Sequence, residues 1–275
     1  MSPQAAALLL ALGVVAGTYG TIVGAGGGFV IIPALLLFYP DESASVVTAI
    51  SLAVVLANAT SGSAAYAALR RIDYRTGVAF ALATIPGAVV GALATQAVPR
   101  RVFDALFGVV LISVSAYIAL RPALSEGGWG WRPRPNTYRS LADVEGIRYS
   151  YAFNWQTGVT ISFFVGLNAS FLGLGGGIIH VPVMVALLDF PAHIAVATSH
   201  FILVFTSLAA TLVHVATGSL NDDWPKVIPL AVGAIAGAQV GARLSQRLPE
   251  KAIVRLLAFA LFTVGIRLLI AAAGV

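Results

Sequence analysis

The hydrophobic positions of this chain run continuously instead of alternating. Uncharged stretches cover residues 5–38, 44–69, 76–98 and, reaching back over one aspartate, 105–120. After a polar interval at 121–156 they resume at 157–188, 191–220, 227–242 and, carrying Arg255 and Arg267, 252–270. A half-buried strand repeats every two residues, and a barrel strand alternates over about 10 residues, whereas runs of about 20 apolar residues predict membrane-spanning helices. The acidic and basic residues fall at or near the ends of these stretches or in the connections.

Two stretches, 5–38 and 157–188, do not fit a single straight crossing. As one helix the first would be roughly 51 Å long at about 1.5 Å per residue, against a hydrocarbon core of about 30 Å. Both contain the same unfavourable string, GAGGGFVIIP at 24–33 and GLGGGIIHVP at 173–182. Glycine weakens a helix by about 1 kcal/mol and proline by about 3, so a break at the glycines is expected in each. If each broken segment crosses once, each half has four spans and the halves run parallel. If it folds back, each half has five segments and the halves are inverted. The basic stretch RRIDYR at 70–75 and the arginines between 121 and 148 favour the cytoplasm, and YPDES at 39–43 the outside. Arg243, Arg247 and Lys251 tip the choice towards inversion.

The halves read as one unit written twice. Gly24, Gly26, Gly27, Gly28 and Pro33 correspond to Gly173, Gly175, Gly176, Gly177 and Pro182, and Ser51 corresponds to Ser199. Further on, Gly87, Gly91, Gln96 and Pro99 correspond to Gly237, Gly241, Gln246 and Pro249. The expected fold is therefore an all-α membrane protein, a polytopic helical bundle of two homologous repeats. Its parts are 1–121, a polar connecting loop at 122–156, and 157–275. Within the loop, WGWRPRPN cannot be helical throughout. IRYSYAFNW fits a short strand or an interfacial aromatic segment.

Composition agrees: 59% of the 275 residues are hydrophobic and 10% charged, where a soluble domain carries about 25% charged. The net charge of +5 comes from arginines between apolar segments, which orients a membrane protein and does not require nucleic acid. There is no cysteine, so disulfides and thiolate metal sites are excluded. The N-terminus has no basic n-region and reads as the start of the first span.

Candidate chemistry gathers around the glycines. A helix that begins inside the membrane directs unpaired N–H groups and the positive end of its dipole at whatever precedes it, and so holds anions without a basic side chain. Gly24, Gly26, Gly27 and Gly28, with Gly173, Gly175, Gly176 and Gly177, would open two such helices; tight helix packing is the plainer use of glycine in membranes. Ser51, Asn58 and Thr60, and Thr198, Ser199, His200 and Thr206, lie on the apolar spans that follow. Ser51 and Asn58 are two turns apart and share a face, as do Ser199 and Thr206. Their donors suit oxyanion oxygens, and equally helix-to-helix hydrogen bonds. His180, just after the second glycine cluster, could bind substrate, shuttle a proton, or sit as a neutral core histidine. His193 follows DFPA at a span end and is expected at the interface. No cluster has metal-ligand spacing and no nucleophile constellation appears, so neither an enzyme nor a metal or other cofactor is expected.

At these residues the sequence resembles the TauE/SafE family, also called the 4-toluene sulfonate uptake permease family. The likeness lies in the paired glycine-then-proline strings, each followed by a span bearing TAIS (48–51) or ATSH (197–200), and it covers nearly the whole chain. Ile50 departs from the Thr-Ser pattern, and His180 and His200 from the expected aliphatic residues. The resemblance implies a multi-pass permease of the cytoplasmic (inner) membrane that moves small sulfur-containing anions such as sulfite or organosulfonates, exporting them. Proton or sodium coupling and a homo-oligomeric state are left open. The rival readings are an anion channel and a non-transporting membrane assembly factor.

Overall fold

The structure is a computed structural model that describes residues 2–99, 101–103, 105–106, 108–113, 115–116 and 134–273. Four helices open the chain: α1 (Pro3–Val23), α2 (Gly28–Phe38), α3 (Ala44–Ala68) and α4 (Tyr74–Thr95). The described residues between 101 and 116 are also helical. A hairpin of β1 (Thr137–Ala142) and β2 (Arg148–Phe153) follows. Then come α5 (Trp155–Phe171), α6 (Gly177–Ala186), α7 (Ala192–Ala216), α8 (Trp224–Ser245) and α9 (Glu250–Ala273). Among the described residues α1, α3, α4, α7 and α8 are long and apolar enough to cross a membrane. The chain is a polytopic helical membrane protein.

Both long apolar stretches break at their glycines, as their length requires. The break is also a reversal. Were Gly27 to carry a Cβ, it would lie 2.6 Å from the carbonyl oxygen of Ala16, so α2 starts level with the middle of α1. At its far end, Tyr39 and Glu42 line one cleft with Ser2 and Ala5, at the start of α1. The second stretch behaves alike: Met184 near the end of α6 and Leu188 just beyond it pack with Tyr151 and Phe153, next to the start of α5.

The ends of the helices collect on two faces. On one, Glu42 pairs with Lys226 of α8, and Ser45 meets Ser219 of the α7–α8 turn at 2.9 Å. On the other, the turn between α3 and α4 meets the hairpin. The helices in between approach closely through small residues, because packing in lipid depends on backbone proximity. Along the α1–α8 seam, Gly13 and Gly17 face the backbone of Leu230 and Ala234, while Gly233, Gly237 and Gly241 face the carbonyls of Leu10, Val14 and Thr18. Along the α4–α5 seam, Gly87 and Gly91 face the carbonyls of Phe163 and Leu167, and Gly166 that of Thr84. Between these seams α3 packs against α7, α3 also against α8, and α7 against α4.

The segment 147–155 contains a strand, and the strand packs on protein. β2 pairs antiparallel with β1, from Thr137 opposite Phe153 to Ala142 opposite Arg148. Its inward residues Tyr151 and Phe153 pack on Phe190 with tilted rings, centroids 4.4 and 5.0 Å apart. Most of WGWRPRPN lies outside the described residues. The hairpin turn is held by Asp143, which accepts the amides of Glu145 and Ile147, both at 3.0 Å, and pairs with Arg71 at 2.9 Å. The two side chains are 4% (Arg71) and 0% (Asp143) exposed. Burial pushes the Asp143 carboxyl upward, but the Arg71 hydrogen bond and charge outweigh it and hold the group below the usual carboxylate range.

Breaking a buried ion pair on one side strands the other charge, at a cost of about 3–5 kcal/mol. Asp143→Asn is therefore expected to lower the thermal unfolding midpoint in detergent clearly, and an unchanged midpoint would contradict the role given to the bridge. Because the folded carboxyl titrates below its unfolded value, the wild-type contribution is complete above about pH 4 and is lost as pH falls further.

Candidate functional site

The two glycine loops meet at the centre of the bundle. In the first, Gly24 takes a left-handed conformation with φ +80°. The amides of Ala25 and Gly26 then bond back to Gly20 O, at 2.7 and 3.2 Å. In the second, Leu174 bonds to Ala169 O at 2.7 Å and Gly173 to Ser170 O at 3.2 Å. Gly28 packs against Gly173 O and Leu174, and Gly177 against Gly24 O and Ala25. Val55 of α3 and Leu203 of α7 each touch both Gly26 and Gly175, so four residues close around one point.

Where these loops touch, one carbonyl of each is met by a hydroxyl from the other half. Ser51 Oγ donates to Gly173 O at 2.7 Å, and Ser199 Oγ donates to Gly24 O at 3.2 Å. All four of these residues are buried. The amides are treated differently. Helical bonding resumes with Val30 and Ile31, which donate to Gly27 O at 3.0 and 3.1 Å, and with Ile179 and His180, which donate to Gly176 O at 3.1 and 2.9 Å. The amides of Gly28, Phe29, Gly177 and Ile178 lie ahead of these and meet no acceptor among the described residues. One carbonyl of each loop is thus met by the other loop's half, and the first amides of both helix starts have no protein partner among the described residues.

The other residues singled out in the sequence sit around this contact. Asn58 donates to Gly17 O (3.1 Å) and Ala234 O (3.2 Å) and accepts from Thr21 Oγ1 (3.3 Å), bolting α3 to the α1–α8 seam. Ser51 and Asn58 share a buried face but serve different partners. Thr206 meets Thr84 Oγ1 at 2.8 Å. Thr60 is exposed and bonds Leu56 O of its own helix at 2.8 Å, away from the loops.

His180 and His200 are buried and engaged through one nitrogen. Ser162 Oγ donates to Gly158 O at 2.7 Å, so at 3.0 Å from His180 Nε2 it accepts the imidazole proton. The ring stacks on Phe80, with centroids 6.1 Å apart and planes at 4°. Thr21 likewise spends its proton on Asn58 and accepts from His200 Nε2 at 3.3 Å. Tyr66 stands edge-on to His200 at 5.5 Å, and Gly62 leaves the room the ring occupies. His193 is half-buried near the start of α7.

Thr198 faces the hairpin side. Its Oγ1 accepts the amide of Asp73 at 3.0 Å. The Asp73 carboxylate caps α4 through the amide and hydroxyl of Thr76, at 3.1 and 2.5 Å, and accepts Tyr151 OH at 2.8 Å. Burial, then the Asp73 charge, push the Tyr151 phenol well above its ordinary range. Sequence reasoning missed Asp73 and Tyr151 as parts of this region. Asp73 followed three residues later by Thr76 is a helix-start signature, but nothing in the pattern brings the hairpin to it.

The apolar bundle and its interrupted spans define a multi-pass membrane protein. Comparison with known proteins gives the family. Residues 9–268 match the family described as sulfite exporter TauE/SafE, and the chain belongs to it. It is 30% identical over 268 residues to the probable membrane transporter protein YunE of Bacillus subtilis (strain 168), covering 95% of this chain and 96% of that one. It is 22% identical to the probable membrane transporter protein MJ0441 of Methanocaldococcus jannaschii, over 96% and 95% of the two chains. It is 26% identical to the probable membrane transporter protein ORF9 of a Sinorhizobium species, over 96% and 92%. No solved structure matches. Members of this family are membrane transporters, not enzymes.

Removing the Ser51 hydroxyl leaves the buried Gly173 carbonyl unmet, which costs about 1–3 kcal/mol. Ser51→Ala and Ser199→Ala are each expected to lower the unfolding midpoint by a similar amount. Because both act on the same contact, the double variant should deviate from additivity; strictly additive shifts would contradict the shared contact.

Proposed function

We propose that this transporter is a secondary carrier for a small sulfur-containing oxyanion, such as sulfite or an organosulfonate, working by alternating access at the junction of the two glycine loops. The observation that carries this reading is the set of unpaired amides of Gly28, Phe29, Gly177 and Ile178 beside two loops already tied through their carbonyls. When the loops part, those donors and the freed hydroxyls of Ser51 and Ser199 would face an oxyanion in a site where low dielectric strengthens each contact. Thr198 and His200 would act from behind, through Asp73 and Thr21, while His180 lies on the first turn of α6.

The reading includes inverted duplication of 1–121 and 157–275 around the 122–156 connection, the usual construction of such carriers. Paired contacts support it: Gly87 on Phe163 has its counterpart in Gly237 on Val14, and Ser51 on Gly173 in Ser199 on Gly24. The basic hairpin face then lies in the cytoplasm and the Glu42–Asp223 face outside, in a cytoplasmic membrane. Family membership and the sulfite exporter description support the substrate class.

The test is flux of sulfite and ethanesulfonate in proteoliposomes. Saturable uptake with counterflow is expected, and conductance without saturation would instead favour a channel. Gly176→Leu is the sharper variant, because a Cβ there meets nothing nearer than 3.8 Å while its φ of +118° opposes any side chain. It should lower flux at least about tenfold, the effect of disturbing one or two charge-assisted contacts. A folded Gly176→Leu protein with wild-type flux would refute the site.

A further inference from the structure

The faces of the bundle differ in charge, and the hairpin face carries a pocket that the central site does not explain. It has a volume of about 440 Å³ and is lined by Arg75, Asn136, Thr137, Arg139, Trp155 and Gln156. Arg75 has no ion-pair or hydrogen-bond partner among the described residues. Arg139 is half-buried, and its Nε stands 3.6 Å from Asp73 Oδ2, a long contact to a carboxylate already occupied by Thr76 and Tyr151. The start of α5 contributes little, because the Trp155 amide is spent on Asn136 (2.8 Å) and that of Thr157 on Asn154 (3.0 Å). Two guanidiniums against one engaged carboxylate leave the pocket positive. The cleft on the opposite face is lined by Glu42, Asp222 and Asp223 around Lys226, and is negative.

We infer that the Arg75–Arg139 pocket is an anion-capture site, where a sulfonate or similar oxyanion docks before entering the bundle. Guanidiniums bind oxyanions through paired N–H donors, and a basic vestibule raises the local anion concentration. An acidic opposite mouth does the reverse. The carrier therefore has a lower half-saturation concentration for anion on the hairpin face than on the other. The position of the pocket also connects it to the centre. Asp73, beside Arg139, is bonded through its amide to Thr198, the neighbour of the Ser199 that holds Gly24. The kinetic consequence rests on the carrier reading; the binding site does not.

The experiment has two arms with ethanesulfonate as probe. Tyr138→Cys places a thiol on a 75% exposed hairpin position in a chain without native cysteine, and a membrane-impermeant maleimide then reports which vesicle face carries the hairpin. In oriented vesicles, Arg75→Gln and Arg139→Gln should each raise half-saturation from the hairpin face about three- to tenfold, and from the opposite face should lower maximal rate, because exit through the pocket slows as entry does, with half-saturation there unchanged. Arg75→Lys keeps the charge but loses the paired donors, and should recover only part of the loss seen in Arg75→Gln. Unchanged kinetics, or an equal rise of half-saturation on both faces, would overturn the inference. In detergent, tryptophan emission should respond saturably to ethanesulfonate, and Trp155→Phe or Arg139→Gln should abolish the response. If wild-type vesicles show no flux, the carrier reading fails alone, and this titration still decides: a saturable response lost in Arg139→Gln upholds the pocket, and no response refutes it.

Discussion

A backbone interrupted inside a membrane protein must have its polar groups met by the protein, because lipid offers no hydrogen bonds. That constraint falls on two loops here, and the solution is reciprocal: Ser51 serves the carbonyl of Gly173, and Ser199 that of Gly24. Each half thus completes the other. The small-residue seams follow from the same need, since α1 must lie close to α8, and α4 to α5, for the loops to reach one another. The amides at the starts of α2 and α6 stand outside this closure. In the carrier reading proposed above, they are the donors offered to the substrate.

Contacts run outward from the junction in an unbroken sequence. Ser199 holds a glycine loop; its neighbour Thr198 holds Asp73; Asp73 receives Tyr151 and faces Arg139. Arg71, two residues before Asp73, clamps the hairpin turn through Asp143. The hairpin is therefore packed onto the bundle by tilted and edge-on aromatic contacts and a buried ion pair. A movement that parted the glycine loops on that side would have to carry these contacts along or break them.

Much of the architecture was legible in the chain. The span lengths were wrong for single helices, and glycine marked where they had to break, because helix propensity and bilayer thickness are local or global constants. The reversal was visible only as one of two options, since nothing in GAGGG states which way the following helix points; Gly27 settling against Ala16 O does. The roles of the hydroxyls were partly hidden for the same reason. Ser51 and Asn58 do share a face, yet one reaches a loop 122 residues away and the other a seam 41 and 176 residues away. Thr60, equally polar in the string, turns outward. Asp73 and Tyr151 were invisible because their meeting depends on a linker whose fold has no periodic signal.

The central claim is that oxyanions are held by the first amides of α2 and α6. Hydrogen–deuterium exchange of the purified protein, followed with and without ethanesulfonate, addresses those groups directly. The account predicts that the ligand slows exchange at Gly28, Phe29, Gly177 and Ile178 together, in both halves. Saturable ethanesulfonate flux with exchange at these four amides unchanged by the ligand would contradict it.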